Sequence, residues 1–69
     1  MIQYMASGYN TENERVVLWR KGDYKYELEI GTGLYKKSQD FEAECNDAMD
    51  IFYNSISAFK KSDFVFDFA

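Results

Sequence analysis

Carboxylates dominate the reactive groups of this 69-residue chain: twelve Asp and Glu stand against eight Lys and Arg, with no histidine at all. Without histidine the usual general base, proton shuttle and metal ligand are missing. Paired acids do occur, as Glu27 and Glu29 two apart and Asp40 and Glu44 four apart. Glycosidase or aspartyl chemistry would need such a pair held in a deep, dry cleft, which so short a chain rarely builds. Cys45 is the only thiol, and on an apolar stripe it reads as a small buried hydrophobe. Gly31-Thr32-Gly33 lacks the spacing and the following Lys-Ser/Thr of a phosphate loop, so it reads as a turn. The chain is therefore expected to be no enzyme and to carry no cofactor or metal.

The same acids make more sense as a surface. Asp40, Glu44 and Asp47 follow at i, i+4 and i+7, a line that Ile51 and Asn54 extend, with Asp50 and Glu42 elsewhere on the outside. One reading is a solvated helix face whose acids favour its N-terminal end. The other is a local imitation of a nucleic-acid backbone, since carboxylates three or four residues apart on a helix rise about 5 Å. A mimic of that kind would enter a basic channel with salt-sensitive affinity. Its contacts would be Asp40, Glu44, Asp47 and Asp50, with Ile51 as an apolar anchor.

To present that line, the spacing predicts one long helix from Ser38 to Lys61, capped by Ser38. Phe41, Cys45, Ala48, Met49, Phe52, Ile56 and Phe59 share its apolar stripe. Asp40, Glu42 and Glu44 at its start and Lys60 and Lys61 at its end suit the helix dipole. Ahead of it lie strand signals. Met1 to Ala6 alternates weakly, with Ile2, Tyr4 and Ala6 on one side, and Ser7 to Asn13 reads as a loop. Glu14 to Lys21 is rich in β-formers, Gly22-Asp23 marks a two-residue hairpin, and Tyr24 to Ile30 alternates cleanly. That turn sets Trp19 against Tyr26 and Val17 against Leu28 on the core side, leaving Val16 and Leu18 on the outer face. Leu34 to Lys37 forms a short strand. Phe64, Phe66 and Phe68 alternate in a last edge strand, the alternative being a tail that orders on a partner. The expected fold is α+β, a small antiparallel sheet in the order β-β-β-β-α-β under one long amphipathic helix.

Sixty-nine residues make one domain near the lower limit for a self-sufficient core. With one cysteine there is no internal disulfide, so six Phe, six Tyr and Trp19 must supply the buried area. A net charge of −4 and a pI near 4.6 argue against coating nucleic acid or an anionic membrane. No segment has the length and apolarity of a membrane span or the pattern of a signal peptide. One unpaired thiol fits a reducing, cytoplasmic setting.

In length, acidity, the Gly22-Asp23 hairpin and the acidic segment Asp40 to Asp50, the chain resembles phage-encoded inhibitors of bacterial defence, anti-CRISPR proteins among them. The resemblance is one of type, without a diagnostic motif. It implies an inhibitor in the cytoplasm of a bacterial host, bound to a protein or ribonucleoprotein complex with a basic nucleic-acid channel. It implies no direct nucleic-acid or membrane contact, and a monomer or homodimer. A second resemblance covers Tyr24 to Phe52. A strand, the turn Gly31-Thr32-Gly33-Leu34-Tyr35, and Ser38-Gln39-Asp40-Phe41-Glu42-Ala43 opening a helix are similar to HicB-type antitoxins, although their Pro-Gly motif is missing. That likeness implies an antitoxin-like or structural and regulatory homodimeric module.

Overall fold

The computed structural model describes residues 1–59 and 63–69. Five strands form one antiparallel sheet: β1 (Gln3–Tyr9), β2 (Glu14–Gly22), β3 (Lys25–Thr32), β4 (Tyr35–Glu42) and β5 (Val65–Phe68), in the spatial order β4-β3-β2-β1-β5. The one helix among the described residues, α1 (Cys45–Ser57), follows β4 and covers one face, packing mainly over β2. The order of elements is the expected one, β-β-β-β-α-β, and the last strand does lie at an edge.

Core burial decides the register of the central hairpin. Leu18 faces Leu28 and Val16 faces Ile30, while Trp19 faces Glu27 and Val17 faces Glu29. This is one residue away from the register expected of a Gly22-Asp23 turn, and the slip exchanges the two faces of β2 while β3 keeps Tyr26, Leu28 and Ile30 on the core side. Val16 and Leu18, expected outside, are fully buried under α1; Val17 and Trp19 lie half-buried on the uncovered side. Gly22 pairs with Lys25, Lys21 is the extra residue of a bulge, and the loop is Asp23-Tyr24. Tyr24, expected in the core row, is exposed at the loop with a φ of 60°. A left-handed tyrosine costs about 1–2 kcal/mol, a local cost of the register that places Val16 and Leu18, rather than Val17 and Trp19, under α1. Aliphatic pairing outweighs the local turn preference. The Tyr24 carbonyl is held by the Ala43 N–H at 3.0 Å, and Arg20 meets the Asp23 carboxylate at 3.2 Å.

A second bulge corrects the face of β1. Tyr4 pairs with Trp19 but Ala6 pairs with Leu18, so Met5 is the extra residue and Tyr4 and Ala6 point to opposite sides. β1 also runs on through Ser7 to Tyr9, residues expected in a loop. The actual loop is shorter and is tied by Asn10, which is buried. Its Oδ1 accepts from the Glu12 and Glu14 N–H groups, both at 3.0 Å, and its Nδ2 donates to Glu14 Oε1 at 2.8 Å.

The helix is shorter than expected at both ends, running from Cys45 to Ser57. Residues 38–42 pair with β3 as part of β4, with Ser38 opposite Glu29 and Phe41 opposite Tyr26. Ser38 therefore caps nothing, and Glu44 occupies the N-cap without a side-chain cap bond. Phe41 satisfies both periodicities, and stacking on Tyr26 at 5.8 Å gives it the sheet. The strand-to-helix junction read as antitoxin-like is thus a strand at Ser38 to Glu42. Cys45, placed on the buried stripe by the longer helix, is exposed. From Ala48 onward the stripe is as expected: Ala48, Phe52 and Ile56 are buried, with Met49 and Phe59 against them. Helix and sheet approach closely at Gly8, where a Cβ would lie 2.8 Å from Ile56 Cδ1. The helix also stops earlier than expected, at Ser57 with Ala58 as its C-cap, so Phe59 packs on the core from beyond the helix; Lys60 and Lys61 lie outside the described residues.

Two substitutions read out this register. Leu18→Ala should cost about 2–5 kcal/mol in denaturant unfolding, and Val17→Ala much less; the Gly22-Asp23 register would reverse that order. Phe52→Ala should cost about 3–5 kcal/mol, enough to leave much of so small a domain unfolded at ordinary temperature.

Candidate partner-binding surface

Three surfaces remain uncovered, and their chemistry differs. The first is the outer side of α1. Asp47, Asp50, Ile51 and Asn54 are neighbours there at spacings of three and four, and Glu44 stands one turn before Asp47. All five are exposed, Ile51 marginally at 36%. Among the described residues nothing bonds to the carboxylates of Glu44, Asp47 or Asp50. Glu44 and Asp47, before and in the first helical turn, are favourably placed because the N-terminal amides carry partial positive charge; Asp50 lies in the second turn.

Asp40 is not part of that surface. It sits on β4 opposite Glu27, on the sheet face away from the helix, so the line Asp40-Glu44-Asp47 does not exist. Its carboxylate accepts from Lys21 Nζ at 3.1 Å. The structure thus brings together four of the five residues singled out in the sequence, Glu44, Asp47, Asp50 and Ile51, and separates the fifth.

The uncovered sheet face is the second surface. Tyr4 meets Trp19 edge-on at 5.8 Å, and Ile2, Trp19, Glu27 and Glu29 line a shallow depression of about 210 Å³. Charges around it are interlocked. Lys21 bridges Asp40 and, at 3.7 Å, Glu27; Lys36 reaches Glu29 at 3.5 Å; Arg15 donates to the Gly33 carbonyl at 3.1 Å. The guanidinium of Arg15 fits because Gly31 has no side chain, a Cβ there falling 2.7 Å from Arg15 Cζ. Hydrogen bonding to Asp40, then that carboxylate's charge, holds the Lys21 amine above its ordinary value of 10.5. Across the sheet, burial pushes the Tyr26 phenol up, helped by the neighbouring Cys45 sulfur. Cys45 borders a depression of about 340 Å³ with Arg20, Asp23, Tyr24 and Tyr26. Among the described residues no cluster of acids and cysteine is arranged to hold a metal ion.

The third surface is aromatic. The three terminal phenylalanines were expected to be hidden, yet Phe66 is 43% and Phe68 50% exposed, and only Phe64 is half-buried against the core. Tyr53, 43% exposed, meets Phe66 at 6.0 Å, and Phe66 stacks on Phe68 at 6.2 Å. A sheet widened to five strands outgrows one helix, so the rings at its margin stay uncovered. That three of the four residues Val65 to Phe68 are large and apolar was the available signal.

No protein-family model matches the chain, and no curated protein or solved structure matches it significantly. No described helix is long and apolar enough to cross a membrane.

The Lys21 pair offers a direct electrostatic check. The bond favours the charged amine, so its contribution is complete below pH 10.5 and disappears as the pH climbs past the raised value. In an NMR titration Lys21 should ionise above its ordinary value, and Asp40→Asn should bring the midpoint down.

Proposed function

We propose that this chain acts by binding another macromolecule, as a small inhibitor that occupies the basic nucleic-acid channel of a host protein or ribonucleoprotein. The contact surface is the outer side of α1, with Glu44, Asp47 and Asp50 as the charged groups and Ile51 as the apolar anchor. One observation carries this reading: these three carboxylates are exposed and unpartnered among the described residues, while Glu27, Glu29 and Asp40 of the open sheet face are paired with Lys21 and Lys36. A net charge of −4 is thereby made local. Successive acids on one side of the helix offer a row of negative charge about 5 Å apart along its axis, within reach of flexible Lys and Arg side chains. The attraction is long-ranged at low salt and screened at high salt. An anchor of one isoleucine is modest, so charge dominates both encounter and affinity.

Unlike the acids first grouped by spacing, this set excludes Asp40. The reading belongs to the type of the anti-defence inhibitors, which act by steric occlusion without chemistry of their own. Its support is the distribution of charge and the absence of histidine from the sequence.

The test is capture from a bacterial host lysate at low and high salt. Nucleic-acid-handling proteins should be retained at low salt only and released by excess duplex DNA or RNA. Glu44→Lys, Asp47→Lys and Asp50→Lys together should abolish capture, with Asp40→Lys alone having little effect. The milder Glu44→Gln, Asp47→Asn, Asp50→Asn variant, which keeps the helix start nearly intact, should weaken capture in parallel. Retention that ignores both salt and the triple variant would overturn the proposal.

A further inference from the structure

The two edges of the sheet are unlike. β4 carries Lys36, Lys37, Asp40 and Glu42, charges of the kind that discourage an unpaired edge from meeting another strand. Three of the four β5 residues are apolar, and the strand has no lysine, no proline and no bulge in its pairing with β1. Its one charge, Asp67, lies on the open face, where the Tyr4 hydroxyl donates to the carboxylate at 3.1 Å. The Ala69 N–H donates to the Met5 carbonyl at 2.9 Å, while Asp67 faces Ser7 and Val65 faces Tyr9. Alternation along an antiparallel ladder then turns the main-chain groups of residues 65, 67 and 69 toward β1. Those of Phe66 and Phe68 point outward, and among the described residues no further strand follows β5 in the sheet.

We propose that this edge joins two copies of the chain, β5 pairing antiparallel with β5 of a second copy about a two-fold axis through Phe66. The occupant is a second copy because the edge is complementary to itself, and charge selects how. Outward main-chain groups fall on even-numbered residues, so the axis can pass through Val65, Phe66 or Asp67. With Asp67 on the axis, two Asp67 carboxylates face each other. With Val65 there, each Asp67 faces Asp63 of the other copy. With Phe66 there, Phe66 meets its own counterpart, Phe64 meets Phe68, and Asp67 meets Val65, so no aspartate side chain opposes another. An axis normal to the sheet keeps both helices on one side of a ten-stranded sheet. Phe64, Phe66 and Phe68 of the two copies then form one aromatic strip, flanked by Tyr53 of each, which removes half-exposed rings from water. The outer side of α1 stays free, so the pairing neither requires nor excludes the partner-binding role of Glu44, Asp47 and Asp50.

Sedimentation of the intact chain should show a mass rising with concentration from 8.1 kDa toward twice that value. Hydrogen exchange should protect the Phe66 and Phe68 amides only in concentrated samples. Val65→Lys, which sets two lysines against two Asp67 carboxylates, should tighten the dimer about 2- to 30-fold, and Val65→Asp should loosen it comparably. Gln39→Lys, the same change of net charge on the β4 edge, should leave the dissociation constant nearly unchanged. A monomer at every concentration overturns the proposal, as would a dimer in which those two amides stay unprotected. So would equal responses to Val65→Lys and Gln39→Lys, which would reduce the effect to net charge.

Discussion

The pairing of Leu18 with Leu28, and of Val16 with Ile30 beside it, is the contact from which the rest of the structure follows. It gathers four aliphatic side chains on one side of the central hairpin and sends Trp19, Val17, Glu27 and Glu29 to the other. Only the first side is apolar enough to hold a helix, so α1 lies there, with Phe52 fully buried between helix and sheet. The bulge at Lys21 and the left-handed backbone of Tyr24 are local costs of this register. A bulge at Met5 brings Ala6 under the same helix. Backbone irregularity at two places thus serves one packing decision.

How much was legible in the sequence depended on whether a segment obeyed one periodicity or two. Residues 48–56 fit only a helix, and both the element and its buried face follow from Ala48, Phe52 and Ile56. Residues 38–42 fit either period, because Phe41 lies in step with the helical stripe and also alternates with Asp40 and Glu42. What decides is Tyr26 across the ladder, a non-local partner that local spacing does not reveal. The hairpin misled differently. Gly22 is the usual turn residue, yet it pairs with Lys25 inside the ladder and the left-handed position falls to Tyr24. Burial won over turn chemistry.

The candidate surface was read partly for the right reason. Glu44, Asp47, Asp50 and Ile51 share one side of a true helix, as their spacing implied. Asp40 left the group when residues 35–42 joined the sheet, and there it meets Lys21, whose position on the open face depends on the same register. The division of charge is therefore a by-product of the fold. Glu27, Glu29 and Asp40 meet Lys21 and Lys36 on the sheet, whereas Glu44, Asp47 and Asp50 on the helix meet no cation among the described residues. The exposure of Phe66 and Phe68 went unread because alternation in a terminal strand indicates its face but not how far a single helix extends over it.

The charges along β4 acquire a meaning at the scale of assemblies. If copies join through β5, both apolar margins are consumed at once, and each outer border of the enlarged sheet is a β4 strand studded with Lys36, Lys37, Asp40 and Glu42. Growth by strand addition then stops at two. A chain with one sticky and one guarded border can associate without the open-ended stacking that leads to fibrils.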